Sequence, residues 1–151
     1  MYRKGVSALI INVNQEFLLV NLESFEPHFF AIPGGGLEQD ESLQEAAYRE
    51  IEEEVGINKK SLEFIGACKD PLKFKFKTIK MNRDGIEYEG SERYFFGFRF
   101  IGSNDEIRLQ EGEVRFYKWV SFENLKDCLL FENQFEETTE KIIELFPLIK
   151  S

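Results

Sequence analysis

A glycine run followed by an acidic helix constrains the fold of this chain more than any other sequence feature. Pro33 precedes three glycines at 34–36, and residues 42–55 then carry apolar and charged side chains at helical spacing. Gly56 follows directly, and glycine is the residue that most often ends a helix. The sequence therefore predicts a glycine loop that leads into a helix over 42–55.

Three glutamates of this helix are predicted to share one face. Glu50, Glu53 and Glu54 lie at helical neighbour positions, which places their Cβ atoms about 5–6 Å apart. Helical angles turn them toward the same side as the apolar Ala46 and Ala47, although a merely solvated acidic face is the alternative. Carboxylates turned inward repel one another unless a cation lies among them, and oxygen ligands favour Mg²⁺ or Mn²⁺ over zinc.

Residues 35–57 resemble the complete Nudix box, the signature of the Nudix hydrolases. Gly35, Glu41 and the run 49–57 match its fixed positions, while Asp40 stands where many members have glycine. The resemblance implies an α/β/α sandwich with a mixed sheet. It also implies hydrolysis of a nucleoside diphosphate linked to another group, with Mg²⁺ or Mn²⁺ bound on the box helix. Glu41 matches a glutamate with a structural or secondary metal role.

The resemblance also implies roles for individual residues of the box. Glu50 and Glu54 would be the principal metal ligands, and Glu53 a further ligand or an organiser of water. The carbonyl of Gly35 would complete the coordination. Arg49 would orient these carboxylates, and its spacing from Glu53 independently allows a side-chain pair.

A second, weaker resemblance lies near the C-terminal third of the chain. Residues 113–120 are similar to a stretch in the dinucleoside polyphosphate and RNA 5′-pyrophosphohydrolase members of the family. There a glutamate six residues before a Trp-Val pair serves as metal ligand or base, and Glu113 holds that position. The alternative is a loop carboxylate, which is the favoured interpretation for Glu111. Pro33-Gly34-Gly35 departs from the frequent Pro-Gln-Gly variant of this subgroup and leaves the subfamily open.

Two features are candidates for substrate binding. Lys73, Lys75 and Lys77 alternate with phenylalanines, so a strand would show a cationic row suited to a polyphosphate or an RNA backbone. An ordinary amphipathic strand is the favoured alternative. Phe29, with the aromatic side chains at 25 and 28, precedes the glycine loop and could stack on a base, although burial in the core is the more usual role.

Composition narrows the class of protein. The 151 residues carry a net charge of −9, which argues against nonspecific binding to DNA or anionic membranes. Two cysteines and one histidine exclude a disulfide framework and a His-rich zinc site. The longest apolar runs are too short to span a membrane. We expect a cytoplasmic protein with one domain over 1–151.

The order of predicted elements favours an α+β fold, an α/β/α sandwich. A hairpin turn is expected near 12–15 and another turn at 82–85. Strands are predicted at 4–11, 16–22, 29–32, 61–68, 72–80, 91–101 and 114–120, and helices at 42–55, 121–127 and 132–146.

The predicted reaction is metal-assisted hydrolysis of a phosphoanhydride, with Glu53 or Glu113 accepting the proton of the attacking water. The preferred substrates are nucleoside or dinucleoside polyphosphates, or the 5′ end of triphosphorylated RNA. A housecleaning nucleoside triphosphate pyrophosphohydrolase is an alternative. A noncatalytic nucleotide-binding module is a second alternative, opposed by the intact box. The sequence gives no indication of the oligomeric state.

Overall fold

The computed structural model describes residues 1–81 and 85–149, which form a seven-stranded mixed sheet with helices on both faces. The sheet order is β4-β6-β1-β2-β7, with β3 beside β1 and β5 beside β6; β1 and β6 run parallel, and the other described pairs are antiparallel. The strands are β1 Tyr2–Ile11, β2 Glu16–Leu22, β3 Gly34–Gly36, β4 Leu62–Ala67, β5 Leu72–Met81, β6 Glu87–Phe100 and β7 Val114–Ser121, and the helices are α1 Leu43–Val55 and α2 Gln134–Leu145.

Alternation along β1 divides the core between the two faces of the sheet. Val6, Ala8 and Ile10 belong to one buried cluster with the apolar side of α1. Leu9 and Ile11 belong to a second cluster that includes residues of α2. Successive side chains of a strand point to opposite faces, so each helix covers a different face. The predicted α/β/α sandwich is confirmed.

Helix α1 begins and ends where the sequence predicts. Ser42 accepts a hydrogen bond from the Glu45 backbone N–H, and the Glu45 side chain accepts one from the Ser42 N–H, which completes a capping box. Gly56 ends the helix with a left-handed backbone, φ 72°. No helix of the described residues is long and apolar enough to cross a membrane.

The strand predicted at 29–32 is wrong. The side-chain amide of Asn21 donates to the carbonyls of Glu26 and Phe29 and holds this segment as a loop. Ala31 forms a single bridge with Val20, and Pro33 has no N–H with which to extend it. The short strand instead forms in the glycine run, as β3.

The remaining predicted elements differ mainly in their bounds. The helix predicted at 121–127 is a 3₁₀ helix, Phe122–Asp127. Further 3₁₀ turns lie at Lys59–Ser61 and Asn104–Glu106. The turn predicted at 82–85 falls outside the described residues except for its last position.

Strand β1 changes partners along its length, and this places the glycine loop. Its first half pairs with β3 from Gly5 to Ser7, while Ile11 near its end pairs with Phe17 of β2. Strand β3 thus lies in the sheet directly before the loop that leads into α1. The backbone of the glycine run is therefore held beside the helix face that carries the box glutamates.

Candidate active site

Arg49 is the centre of an ion-pair network on α1. Its Nε lies 2.7 Å from Glu41 Oε2, and its Nη1 lies 3.0 Å from both Glu50 Oε1 and Glu53 Oε1. Its Nη2 donates to the carbonyl of Gly36 at 2.7 Å. The hydrogen bond to Glu41 raises the pKa of Arg49 and lowers that of Glu41. Arg49 thus contacts three carboxylates and ties the helix to the glycine strand.

Glu54 and Glu50 are the desolvated carboxylates of the site. Burial raises the pKa of Glu54 to about 7, although one of its oxygens accepts a hydrogen bond from the Gly34 N–H at 3.1 Å. Burial also raises the pKa of Glu50, while the guanidinium of Arg49 opposes that shift. Carboxylates in such surroundings favour either a proton or a metal cation.

Gly35 lies against one of these carboxylates. A Cβ atom built on Gly35 would be 2.3 Å from Cδ of Glu50, so any side chain here would displace the glutamate. The absence of a side chain lets the backbone of β3 reach the helix. This contact fits the predicted metal-ligand role of the Gly35 carbonyl, which stays a prediction.

Glu53 does not face inward with the other two glutamates, and that prediction is wrong. Its side chain is 43 % exposed, whereas that of Glu50 is 15 % exposed. The buried stripe of α1 includes Ile51 and Val55 and lies closer to Glu54 around the helix than to Glu53. Glu53 therefore sits at the rim of the site, held there by Arg49.

Glu113 is brought to the site by a loop that is hydrogen bonded to the end of α1. The Arg108 N–H donates to the carbonyl of Val55 at 2.8 Å, and the Gln110 N–H donates to that of Glu54 at 2.9 Å. Glu113 follows in the turn before β7, and its charge contributes to the raised pKa of Glu54. The two carboxylates therefore lie close enough for their charges to repel, although they are far apart in the sequence.

A cavity of about 400 Å³ lies on the α2 face of the sheet. Its walls are the first half of β1, the centre of β6, the segment before the glycine run and the start of α2. Residues of its lining include Ser7, Ala31, Ile32, Arg93, Phe95 and Gln134. Its volume is in the range of small-molecule sites.

The three predicted substrate lysines do not all line the cavity. Lys73 lines the cavity, and its Nζ lies 3.5 Å from Glu92 Oε2. Lys75 and Lys77 are exposed farther along β5. Phe74, between the first two lysines, is 55 % exposed and packs on Phe76. The amphipathic strand therefore buries no continuous apolar face, and the recognition role of the lysines stays a prediction.

Phe29 belongs to an aromatic cluster formed by the loop before the glycine run and Phe131. Its ring centroid lies 4.7 Å from that of His28 and 4.8 Å from that of Phe131, which also contacts Phe25. Phe29 is partly buried and Phe131 is exposed. The cluster offers an aromatic surface, and stacking of a base on Phe29 stays a prediction.

The acidic residues fit a divalent cation by their chemistry. They supply hard oxygen donors, and two of them are desolvated carboxylates with raised pKa values. Within 1–81 and 85–149, no three acidic, histidine or cysteine side chains already converge as metal ligands do. Arg49 contacts both Glu50 and Glu53 and so partly takes the place of a cation.

Sequence reasoning missed Arg93 as a site residue. Arg93 lies on β6, lines the cavity and interacts electrostatically with Glu54 and Glu50. The available signal was a positive charge directly before the aromatic run that begins at Tyr94. Its proximity to α1 depends on the pairing of β1 with β6, which no local pattern reveals.

Comparisons with known proteins agree with this geometry. The NUDIX domain family model matches residues 1–146. The RNA pyrophosphohydrolase of Pelagibacter ubique (strain HTCC1062) is 29 % identical over 151 residues, which cover 95 % of this chain and 92 % of the relative. The RNA pyrophosphohydrolase of Rhodospirillum rubrum is 30 % identical and covers 82 % of this chain and 75 % of its own length.

A solved structure shows the same fold at lower identity. The E. coli dihydroneopterin triphosphate pyrophosphohydrolase superposes with a TM-score of 0.70 at 18 % identity, covering 95 % of this chain and 98 % of that one. The family match spans nearly the whole chain, including the box, the cavity and Glu113. The chain belongs to the Nudix family, and the prediction that it is a Nudix pyrophosphohydrolase is confirmed.

Proposed function

We propose that this Nudix pyrophosphohydrolase removes pyrophosphate from triphosphorylated RNA 5′ ends or cleaves dinucleoside polyphosphates, with Mg²⁺ (or Mn²⁺) as its metal. The observation that carries the proposal is a pair of desolvated carboxylates beside the glycine strand. Glu50 lies against Gly35, and Glu54 accepts a hydrogen bond from the Gly34 N–H. Members of the family generally use divalent metal ions. The choice of Mg²⁺ or Mn²⁺ rests on the all-oxygen donor set.

Each residue of the site has a distinct proposed role. Glu50, Glu54 and the Gly35 carbonyl would hold the metal, with Glu53 as a further ligand at the rim. A bound divalent ion neutralises phosphate charge and lowers the pKa of a bound water. Arg49 holds the carboxylates in place, since it already bonds Glu50 and Glu53.

Glu113 is the better supported of the two predicted proton acceptors. Both oxygens of Glu53 receive hydrogen bonds from Arg49 Nη1, at 3.0 and 3.1 Å. Glu113 is exposed and lies close enough to Glu54 to raise its pKa. In the part of the chain that the structure describes, it forms no ion pair. A carboxylate without such a partner is free to accept a proton from water.

The substrate class rests on the relatives and on the cavity. Relatives in Pelagibacter ubique and Rhodospirillum rubrum carry the name RNA pyrophosphohydrolase, and the cavity is large enough for part of a nucleotide. Lys73 and Phe29 are the predicted contacts with phosphate and base, with Lys75 and Lys77 extending the cationic row. We further propose that the chain acts as one domain over 1–151 in the cytoplasm, where cell fractionation would locate it.

A substrate panel in ¹⁸O-labelled water tests this function. Triphosphorylated RNA, dinucleoside polyphosphates and nucleoside triphosphates are each incubated with Mg²⁺, and the products are identified by mass spectrometry. Label is expected on a product phosphate, because a divalent ion held by these carboxylates would favour attack of water on phosphorus. Label in a sugar hydroxyl would overturn the reaction class. Turnover of nucleoside triphosphates alone would assign a housecleaning role, and no turnover of any substrate would indicate a binding module.

A further inference from the structure

Arg93 occupies an unusual position for a positive charge. It is partly buried at the centre of the sheet, opposite Gly5 of β1 on one side and Leu72 of β5 on the other. Burial lowers the pKa of Arg93, while the charges of Glu54 and Glu50 act in the opposite direction. A charge in such a place is costly unless hydrogen bonds or an anion compensate it.

Its protein partners do not fully compensate that charge. Nε donates to the hydroxyl of Ser7 at 3.1 Å. Within the described ranges, Arg93 forms no direct ion pair with any carboxylate. Arg49, by contrast, contacts Glu41, Glu50 and Glu53 directly. The guanidinium of Arg93 therefore keeps donors that its protein neighbours do not use.

The free end of the guanidinium lies between the cavity and the glycine strand. A Cβ atom built on Gly5 would lie 3.0 Å from Arg93 Nη1 and 2.9 Å from the carbonyl oxygen of Gly35. Arg93 Nη1 and the Gly35 carbonyl oxygen therefore both lie close to Gly5, and a side chain at position 5 would collide with them. Arg93 also lines the cavity beside Ser7. The donors therefore lie close both to the cavity lining and to the Gly35 carbonyl.

We propose that Arg93 binds a phosphate group of the substrate from the cavity side and positions the polyphosphate against the carboxylates of α1. A guanidinium offers parallel N–H donors that match two phosphate oxygens. Ser7 is the positioning residue of this arrangement, since it fixes Nε and leaves the other nitrogens to the ligand. The inference rests on the proposed function, because it assigns the second contact with the same substrate.

Binding of inorganic tripolyphosphate in EDTA tests the inference without metal and without turnover. Isothermal titration calorimetry compares the parent with Arg93→Gln, Arg93→Lys and Ser7→Ala. Loss of a charge-assisted, two-point contact is expected to weaken binding by about 10- to 100-fold in Arg93→Gln. Arg93→Lys keeps the charge without the paired donors and should fall between Arg93→Gln and the parent. Ser7→Ala should lose affinity by a smaller factor.

Arg99→Gln is the matched control. Arg99 lies on the same strand and faces Glu63 at 3.4 Å with its side chain 39 % exposed. Removing the same charge there should leave affinity within about twofold of the parent, since the charge is screened by solvent. Equal affinities in Arg93→Gln and Arg99→Gln would overturn the inference, as would a parent that does not bind tripolyphosphate.

Steady-state kinetics separate phosphate binding from a merely structural role. Thermal melting first establishes which variants fold. If Arg93→Gln does not fold, the affinities and KM values of Arg93→Lys and Ser7→Ala test the inference instead. We expect KM to rise in Arg93→Lys, and a lower melting temperature with unchanged KM and tripolyphosphate affinity would overturn the inference. Absence of hydrolysis by the parent would reject the proposed function alone, because the titration in EDTA still reports on Arg93.

Discussion

The two faces of the sheet each carry a partly buried arginine, and the two arginines have different partners. On the α1 face, Arg49 is surrounded by Glu41, Glu50 and Glu53 and bonds the Gly36 carbonyl. On the α2 face, Arg93 bonds Ser7 beside an open cavity. The guanidinium of Arg49 is paired with carboxylates of the protein and holds them in place. The guanidinium of Arg93 has unused donors, which favour binding of an external anion. The comparison separates the part of the site that is built in from the part that the substrate completes.

The largest expected effect is on the α1 face, at Glu54. We expect Glu54→Gln to lower turnover by about 10⁴-fold, because loss of a metal ligand removes several kcal/mol of transition-state stabilisation. Glu52→Gln is the matched control, since Glu52 is exposed on the same helix and bonds Asn58. Initial rates with Mg²⁺ measure both variants. Turnover of Glu54→Gln within about tenfold of the control would remove Glu54 from the ligand set.

The same substitution should stabilise the metal-free protein. Burial raises the pKa of Glu54 to about 7 in the folded chain, from 4.5 for a glutamate in water. Between these values the folded state keeps a proton that the unfolded state releases, so stability falls as pH rises through this window. In EDTA at pH 8, Glu54→Gln should therefore exceed the parent by about 1–3 kcal/mol in free energy of unfolding. Added Mg²⁺ should stabilise the parent more than the variant.

A smaller effect on turnover is expected at the loop that meets α1. Glu113→Gln should lower kcat by about 10²–10³-fold if Glu113 accepts the proton of water. Metal affinity should stay close to that of the parent, as a titration of activity with Mg²⁺ would show. A shifted metal requirement would make Glu113 a ligand instead. Unchanged kcat and metal dependence would return it to the loop-carboxylate interpretation.

Matched core substitutions on the two faces should separate stability from catalysis. Ile51 on α1 and Ile142 on α2 are both fully buried, and replacement of either by alanine should cost about 2–5 kcal/mol. Ile51 is next to Glu50 in α1. Its replacement by alanine should therefore also lower kcat, even at temperatures where the variant is still folded. The alanine variant of Ile142 should keep the parent's kcat. Equal losses of kcat would show that the two faces are not independent.

The smallest expected effect is in the loop before α1. Asp40 has a left-handed backbone, φ 62°, at the box position where many members have glycine. Asp40→Gly should stabilise the protein by roughly 0.5–1 kcal/mol, because glycine adopts this conformation without steric cost. Chemical denaturation measures the change, with Gln39→Gly as the control that is not expected to stabilise. A loss of stability in Asp40→Gly would indicate that the carboxylate has a structural role.

Local patterns in the sequence predicted α1 and its partners well. Gly56 predicted the C-terminal end of the helix, and the spacing of Arg49 and Glu53 predicted their ion pair. The strand at 29–32 was wrong because Asn21, distant in sequence, holds that segment through its side chain. Glu53 was misplaced because the face that α1 buries depends on which strands lie beneath it. Arg93 could not be found, since its neighbours come from the pairing of two distant strands.

The parallel pairing of β1 with β6 has a consequence for how the protein is made. Tyr2 pairs with Gly90 and Ile11 with Arg99, so β1 is synthesised well before the strand with which it pairs. Contacts so distant in sequence close slowly, because the intervening chain must first be ordered. Until then β1 has an unpaired edge, and the glycine strand and α1 have no completed sheet to rest on. The active site can therefore form only after β6 has been synthesised and has paired with β1.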